Sequence, residues 1–221
     1  MPDRRIAAFD FDGTLTRRDT LLPFLVRVCG PVAVAKAFWT IAPGTVQSRV
    51  QPRSGGLHHR DSSKAALLRA LLAGRDAASF TEAGTDFARG LPRRIRPEMA
   101  EQVAWHRAQG HELVIVSASL LTYLEPFAAA QGFDHVIAVG LEVSADGTLT
   151  GALTRPNVRG PEKAVRLRQW LEGQSPAMLW GYGNSSGDRE LLAMSDVPVW
   201  VNRRAGRTAT APIPASALPI T

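Results

Sequence analysis

Ile6-Ala7-Ala8-Phe9-Asp10-Phe11-Asp12-Gly13-Thr14-Leu15-Thr16 is an apolar run that stops abruptly at two carboxylates. Unbroken apolar residues ahead of a polar turn read as a strand buried on both faces of a parallel sheet. In open α/β sheets the carboxyl end of such a strand carries the ligand site. Asp10 and Asp12 are two apart on an extended segment expected to run from 5 to 11, so their side chains start on the same side. Gly13 permits the sharp turn that must follow. Paired carboxylates on a rigid strand suit metal-assisted phosphoryl or acyl chemistry. A strand end closed by an ordinary polar turn would use the same residue types, so the reading depends on what lies downstream.

Downstream, apolar strands and helical stretches alternate. Strands are expected at 112–117, 135–139, 177–181 and 197–201, and helices at 97–110, 120–130, 163–171 and 188–193. This alternation predicts a doubly wound parallel sheet of the α/β class. Asp146-Gly147 between Leu141-Glu-Val and Thr148-Leu-Thr predicts a hairpin. Between the first strand and Pro97 the pattern is helical throughout, so a small all-helical cap is expected as an insertion. The predicted division is a core of 1–18 and 93–204, a cap of 19–92, and a loosely ordered tail of 205–221 rich in Ala and Pro. Within the cap, a helix at 32–42 is expected to stop at Pro43-Gly44. Residues 51–60 are expected as a loop, followed by a helix from Asp61 to Leu72.

The chain has 221 residues, 45% hydrophobic and 21% charged, in the range of a globular protein with a sizeable core. One cysteine, Cys29, rules out an internal disulfide and a cysteine metal site. No signal peptide precedes the first strand, so a cytoplasmic protein is the expectation. The net charge of +6 falls to +3 without Arg203, Arg204 and Arg207, too little and too scattered for a nucleic-acid face. The apolar stretches 21–28 and 32–42 are interrupted by Arg27, Gly30, Pro31 and Lys36. Neither reaches the roughly 18–20 apolar residues of a membrane span. Cap helices around an apolar pocket are preferred to a membrane anchor, with a surface-dipping hairpin as the alternative.

Four motifs in order carry a resemblance that covers nearly the whole chain. They are the DxDGT string at 10–14, the strand LVIVSAS ending at Ser117, Lys163 within RGPEK, and GYGNSSGD ending at Asp188. Their order, their spacing and the early helical insertion resemble the haloacid dehalogenase (HAD) superfamily, in particular its phosphoserine-phosphatase-like subfamily IB. The resemblance implies a Rossmann-like core and Mg²⁺-dependent hydrolysis of a phosphomonoester. It makes Asp10 the nucleophile, forming an aspartyl-phosphate, and Asp12 the acid and base. Ser117 and the amides after it, from Ala118 onward, would hold the phosphate, and Lys163 would pair with nucleophile and phosphate. Asp10, the Asp12 carbonyl, Asn184 and Asp188 are the implied metal ligands. Asn184 departs from the pattern, which has an acid there.

The physical chemistry agrees with these roles. A carboxylate attacking a phosphate dianion needs positive charge nearby. Only three of the 26 basic residues are lysine, so a lysine at the motif position is less easily background. An acid at Asp12 favours a phosphatase over a dehalogenase or an ion-pumping ATPase, which lack one there. Asp19 aligns with the acid that binds a substrate amine in phosphoserine phosphatases, and Arg60 or Lys64 could bind a substrate carboxylate. The expected partner is a small phosphorylated metabolite, with oligomeric state left open. A membrane-associated lipid head-group phosphatase and a non-catalytic phosphate-binding relative are the alternatives. His58, His59, His106 and His111 read as surface or structural residues.

Overall fold

The computed structural model describes residues 4–47 and 56–201, apart from the side chains of 42–60. The Arg60 side chain and the tail at 205–221 thus lie outside the described residues. The strands are β1 (Arg5–Phe9), β2 (Glu112–Leu120), β3 (His135–Val139), β4 (Leu141–Val143), β5 (Leu149–Leu153), β6 (Met178–Gly183) and β7 (Val197–Trp200). The helices are α1 (Leu21–Cys29), α2 (Pro31–Gln47), α3 (Gly56–Leu72), α4 (Ala77–Ala88), α5 (Pro97–Ala108), α6 (Leu121–Gln131), α7 (Pro161–Trp170) and α8 (Arg189–Ala193).

A five-stranded parallel sheet runs in the order β3-β2-β1-β6-β7. Strand order reverses direction between β1 and β6, and such a switch point is where open α/β sheets bind ligands. Right-handed crossovers then put α5 and α6 on one face and α7 and α8 on the other. β1 is central, and Ile6, Ala7, Ala8 and Phe9 are all fully buried, as the unbroken apolar run requires.

The strand is shorter than the predicted 5–11. The Asp10 amide still donates to the Tyr182 carbonyl at 2.9 Å, but from Phe11 the chain closes into one wide turn. Leu15 N–H bonds Asp10 O at 3.3 Å and Thr16 N–H bonds Phe11 O at 2.9 Å. Gly13 sits at φ +81° within it, a conformation costly for any residue with a Cβ. Conversely, β2 runs past Ser117 to Leu120, and its register with β3 shifts between Val116 and Leu120. The segment 117–119 is therefore extended yet displaced from regular pairing with β3, which frees it to face the site.

The segment inserted after β1 leaves and returns side by side, with Arg17 N–H on Arg94 O at 3.2 Å and Arg96 N–H on Leu15 O at 2.9 Å. Helices α1–α4 bury Phe24, Leu25, Leu68, Leu72, Phe80 and Phe87 among themselves. Phe24 meets Phe80, Phe87 and also Tyr123 of α6 at ring centroids 5.0–5.3 Å apart. Two expectations for this region fail. α2 continues through Pro43-Gly44 to Gln47, since a proline removes one backbone bond without compelling the chain to turn. α3 begins at Gly56, inside the stretch expected as a loop.

The insertion is also joined by strand-like contacts that the helical pattern concealed. Gly74 N–H bonds Leu149 O and Leu149 N–H bonds Arg75 O, both at 2.8 Å, so the β4–β5 hairpin pairs with the α3–α4 connection. A Cβ on Gly151 would lie 2.6 Å from Arg69 Cα, and one on Gly84 2.4 Å from Thr122 Cγ2. Only glycine permits α3 on β5 and α4 on α6 at these distances.

Beneath the sheet, His106 of α5 is fully buried and bridges two partners. Its Nε2 lies 2.8 Å from Tyr182 Oη and its Nδ1 2.8 Å from His111 Nδ1. Burial, reinforced by His111, lowers its pKa to about 3. The folded value lies below the unfolded one, so this stability is complete above about pH 6.5 and is lost as pH falls toward 3. Between about pH 7 and 5 the loss should approach 2 kcal/mol by linkage. Other groups, Asp12 among them, titrate over the same range in both proteins, so the difference carries the test: from pH 7 to 5, urea unfolding should show His106→Gln losing less stability, or gaining more, than the wild type, and equal changes would sink the assignment.

Candidate active site

β1 and its turn deliver two carboxylates to one cavity of about 490 Å³ above the switch point. Asp10 is buried; its Oδ1 accepts from Lys163 Nζ at 2.6 Å and its Oδ2 from Thr14 Oγ1 at 2.8 Å. Lys163, in the first turn of α7, is 2% exposed and also donates to Asp188 Oδ1 at 2.6 Å. Burial pulls the ammonium pKa down, but the two carboxylates outweigh it and hold it above its ordinary value. Burial also raises Asp10, against the opposing pull of Lys163. Added positive charge at the site would favour its ionised form.

Asp12 has a different environment. Its Oδ1 accepts from Thr20 N–H at 2.8 Å and Thr20 Oγ1 at 2.7 Å, while Ser119 Oγ donates to its Oδ2. Burial first, then the charge of Asp19, pushes its carboxyl up to about 7, although both hydroxyls favour the ionised form. A group poised there exists in both protonation states near neutrality, as an acid and base must. Ser117 Oγ accepts from Ser119 N–H at 3.1 Å, which leaves its own proton for another acceptor.

The 183–188 loop completes the cavity. Asp188 Oδ2 accepts from Asn184 N–H at 3.1 Å, Ser185 N–H at 2.9 Å and Ser185 Oγ at 2.8 Å. Burial works against its ionisation, but Lys163 and Ser185 keep Asp188 below the usual carboxylate range. Asn184 donates through Nδ2 to the Asp12 carbonyl at 3.0 Å.

The donor set available to a cation is read from these contacts. Among the described residues no group of three His, Cys, Asp or Glu side chains is placed to hold a metal. The cavity nonetheless gathers hard oxygens: the Asp10 carboxylate, the Asp12 carbonyl and, adjoining that carbonyl, the Asn184 amide. One or two carboxylates with neutral oxygens and waters is how Mg²⁺ is usually held, so the residues fit it. Asp188 lines the same cavity and, like Asp10, has both oxygens bonded within the protein, so its carboxylate is a further candidate oxygen donor as well as a support for Lys163 and the loop.

A test follows at residue 184. Asn184→Asp would set a carboxylate against the Asp12 carbonyl in place of an N–H donor. Without Mg²⁺ this should cost about 1–2 kcal/mol. The added charge should tighten Mg²⁺ binding about ten-fold. Thermal melting across an Mg²⁺ titration reads both effects. An unchanged Mg²⁺ dependence would mean that residue 184 does not face the ion.

A match to the family model of haloacid dehalogenase-like hydrolases spans residues 7–193. The chain belongs to the haloacid dehalogenase-like hydrolases. Protein CicA of Caulobacter vibrioides is 34% identical over 192 residues, covering 86% of this chain and 83% of CicA. A Bordetella pertussis protein of unknown function has a solved structure with a TM-score of 0.67 at 24% identity, covering 87% of each chain. A substrate-bound phosphoserine phosphatase gives a TM-score of 0.57 at 18% identity, covering 88% of this chain and 84% of that one. These two likenesses speak for the fold.

Within this hydrolase the structure brings Asp10, Asp12, Asp19, Lys64, Ser117, Ala118, Lys163, Asn184 and Asp188 to the wall of one cavity. Asp19 is exposed at that wall, its Oδ1 accepting from Leu22 N–H at 3.0 Å. Lys64 is tied to the protein: its Nζ donates to the Ala118 carbonyl and, at 2.7 Å, to Asn157 Oδ1. Asn157 in turn donates to Asp61 Oδ1 at 2.6 Å. Lys64 therefore links α3 to the residue after Ser117.

Sequence reasoning missed Thr14, Thr20, Ser119, Asn157 and Arg159. Ser119 had a signal, since it lies two along from Ser117 on an extended segment. Arg159 had none; its side chain rests on Gly187, and its buried Nε has no hydrogen-bond partner among the described residues.

Proposed function

We propose that this hydrolase is an Mg²⁺-dependent phosphomonoesterase acting on a small organic phosphate through an aspartyl-phosphate at Asp10. The observation that carries the reading is the contrast between the two carboxylates. Asp10 lies against a charged lysine, while Asp12 is held by two hydroxyls and an amide with its pKa about 7.

An Asp10 oxygen attacks phosphorus as the ester P–O bond breaks, and the Asp12 carboxyl protonates the departing alkoxide. Asp12, now a carboxylate, takes a proton from water, which attacks phosphorus and releases Asp10 and phosphate. Ser117 donates its hydroxyl to a phosphoryl oxygen, and Lys163 holds Asp10 in place and offsets charge. Held by Asp10, the Asp12 carbonyl, Asn184 and Asp188, Mg²⁺ would supply the positive charge that lets a dianion approach a carboxylate. Arg159 lines the cavity, and its guanidinium suits an anionic substrate.

The segment 19–92 is proposed as a cap over a core of 1–18 and 93–204. Leu21, Leu25, Lys64 and Leu67 roof a cavity floored by Asp10, Ser117 and Lys163, which supports that role. A phosphate-release panel of small phosphomonoesters, phosphoserine among them, tests the function with Mg²⁺ and with chelator. Release that chelator abolishes is the expected result; no release from any ester in excess Mg²⁺ would overturn it.

A further inference from the structure

The insertion's second helix presents apolar side chains to water, and Leu22 of the first is 42% exposed. A surface helix buries its apolar stripe and exposes its polar one. On α2, Val34 and Ala37 are buried, yet Val32, Ala35, Lys36 and Trp39 form an outward stripe at i, i+3, i+4 and i+7. Val32 is 66% exposed and Trp39 84%. Phe38, beside that stripe, is 49% exposed and also lines the cavity, so the exposed apolar surface continues into the site.

The charge along the sequence of this region is one-sided. Residues 20–60 hold Arg27, Lys36, Arg49, Arg53 and Arg60 and not one acid. This segment alone carries a net charge of +5, where the whole-chain count had suggested scatter. Such a segment suits an anionic surface, with tryptophan and aliphatic side chains entering the interface and basic ones meeting head groups. Neither helix is long and apolar enough to cross a bilayer, and the pair is bent by 116° between Cys29 and Pro31. That shape can lie on a membrane with its outer face dipped in.

We propose that the α1–α2 hairpin is a peripheral docking surface for anionic lipid bilayers, seating the cavity mouth beside the membrane. A second copy of the chain is a poorer occupant, because two hairpins that carry Arg27 and Lys36 and no acid in their own sequence would repel each other.

The full chain is sedimented with mixed phosphatidylglycerol–phosphatidylcholine vesicles and with phosphatidylcholine vesicles alone. Binding to the mixed vesicles, weakened by salt and absent on phosphatidylcholine, is the expected result. Val32→Asp combined with Trp39→Glu should lower partitioning by about ten-fold or more. Both side chains are mainly in solvent, so the melting temperature should stay put. Brominated phosphatidylglycerol should quench part of the wild-type tryptophan emission, and that part should vanish in Trp39→Tyr. No binding to the anionic vesicles, or binding that both variants leave unchanged, overturns the proposal. So does a wild-type dimer that the double variant dissociates without affecting vesicle binding. Vesicle binding needs no turnover, so this outcome is separate from that of the phosphatase panel.

Discussion

Asp10→Asn should lower kcat by about 10⁴-fold or more, since an amide oxygen is a poor nucleophile and no second carboxylate can take its place. Asp12 is held by Thr20 and Ser119, and Asp188 by Lys163 and the 184–185 segment. The companion Asp12→Asn should separate the two half-reactions. With an aryl phosphate, whose phenolate leaves without a proton, it should release about one equivalent in a burst, because one site forms one aspartyl-phosphate. Turnover should then fall by about 10²–10⁴-fold for want of a base. Stopped-flow absorbance and acid-quenched mass spectrometry would read the burst and a phosphorylated Asp10. Asp10→Asn within about ten-fold of wild type would remove Asp10 as the nucleophile.

Lys163→Met should be the most costly single change to stability. The ammonium lies 2.6 Å from both Asp10 and Asp188, and all three groups are buried. Methionine keeps the volume but leaves two carboxylates facing each other without their cation, a situation worth about 3–5 kcal/mol. Urea unfolding near neutral pH without divalent cations should show that loss. Adding Asp188→Asn should recover part of it, because Asp10 then faces one like charge fewer. A loss below about 1 kcal/mol would be that of a solvated surface pair and would contradict the burial of the site.

Much of the site was legible because its chemistry sits at strand ends and in first turns, where local sequence determines conformation. The run 6–9 could only be a central strand, and Gly13 answered the need for positive φ one residue beyond Asp12. Alternating apolar strands and helices were enough for a doubly wound sheet. Boundaries were less legible, as β1 ending at Phe9 and α2 running past Pro43 show. There, hydrogen bonds to Tyr182 O and around the wide turn decided where regular structure stopped, and propensity could not count them.

By itself, then, the amino-acid order determined the α/β class, which follows from periodicity, and the residue types of the site, which follow from the resemblance of four ordered motifs to a known family. Only the tertiary structure decided what surrounds them. Thr20 and Ser119 converge on Asp12 from 8 and 107 residues away. Asn157 reaches Asp61 across 96 residues, and Lys163 reaches Asp10 across 153. Such contacts exist because sheet order and crossover handedness bring distant strand ends together, and no local pattern encodes that distance. Exposure is equally a tertiary property. Val34 and Val32 are the same residue type two positions apart on α2, and only the packing of that helix put one inside and left the other facing outward.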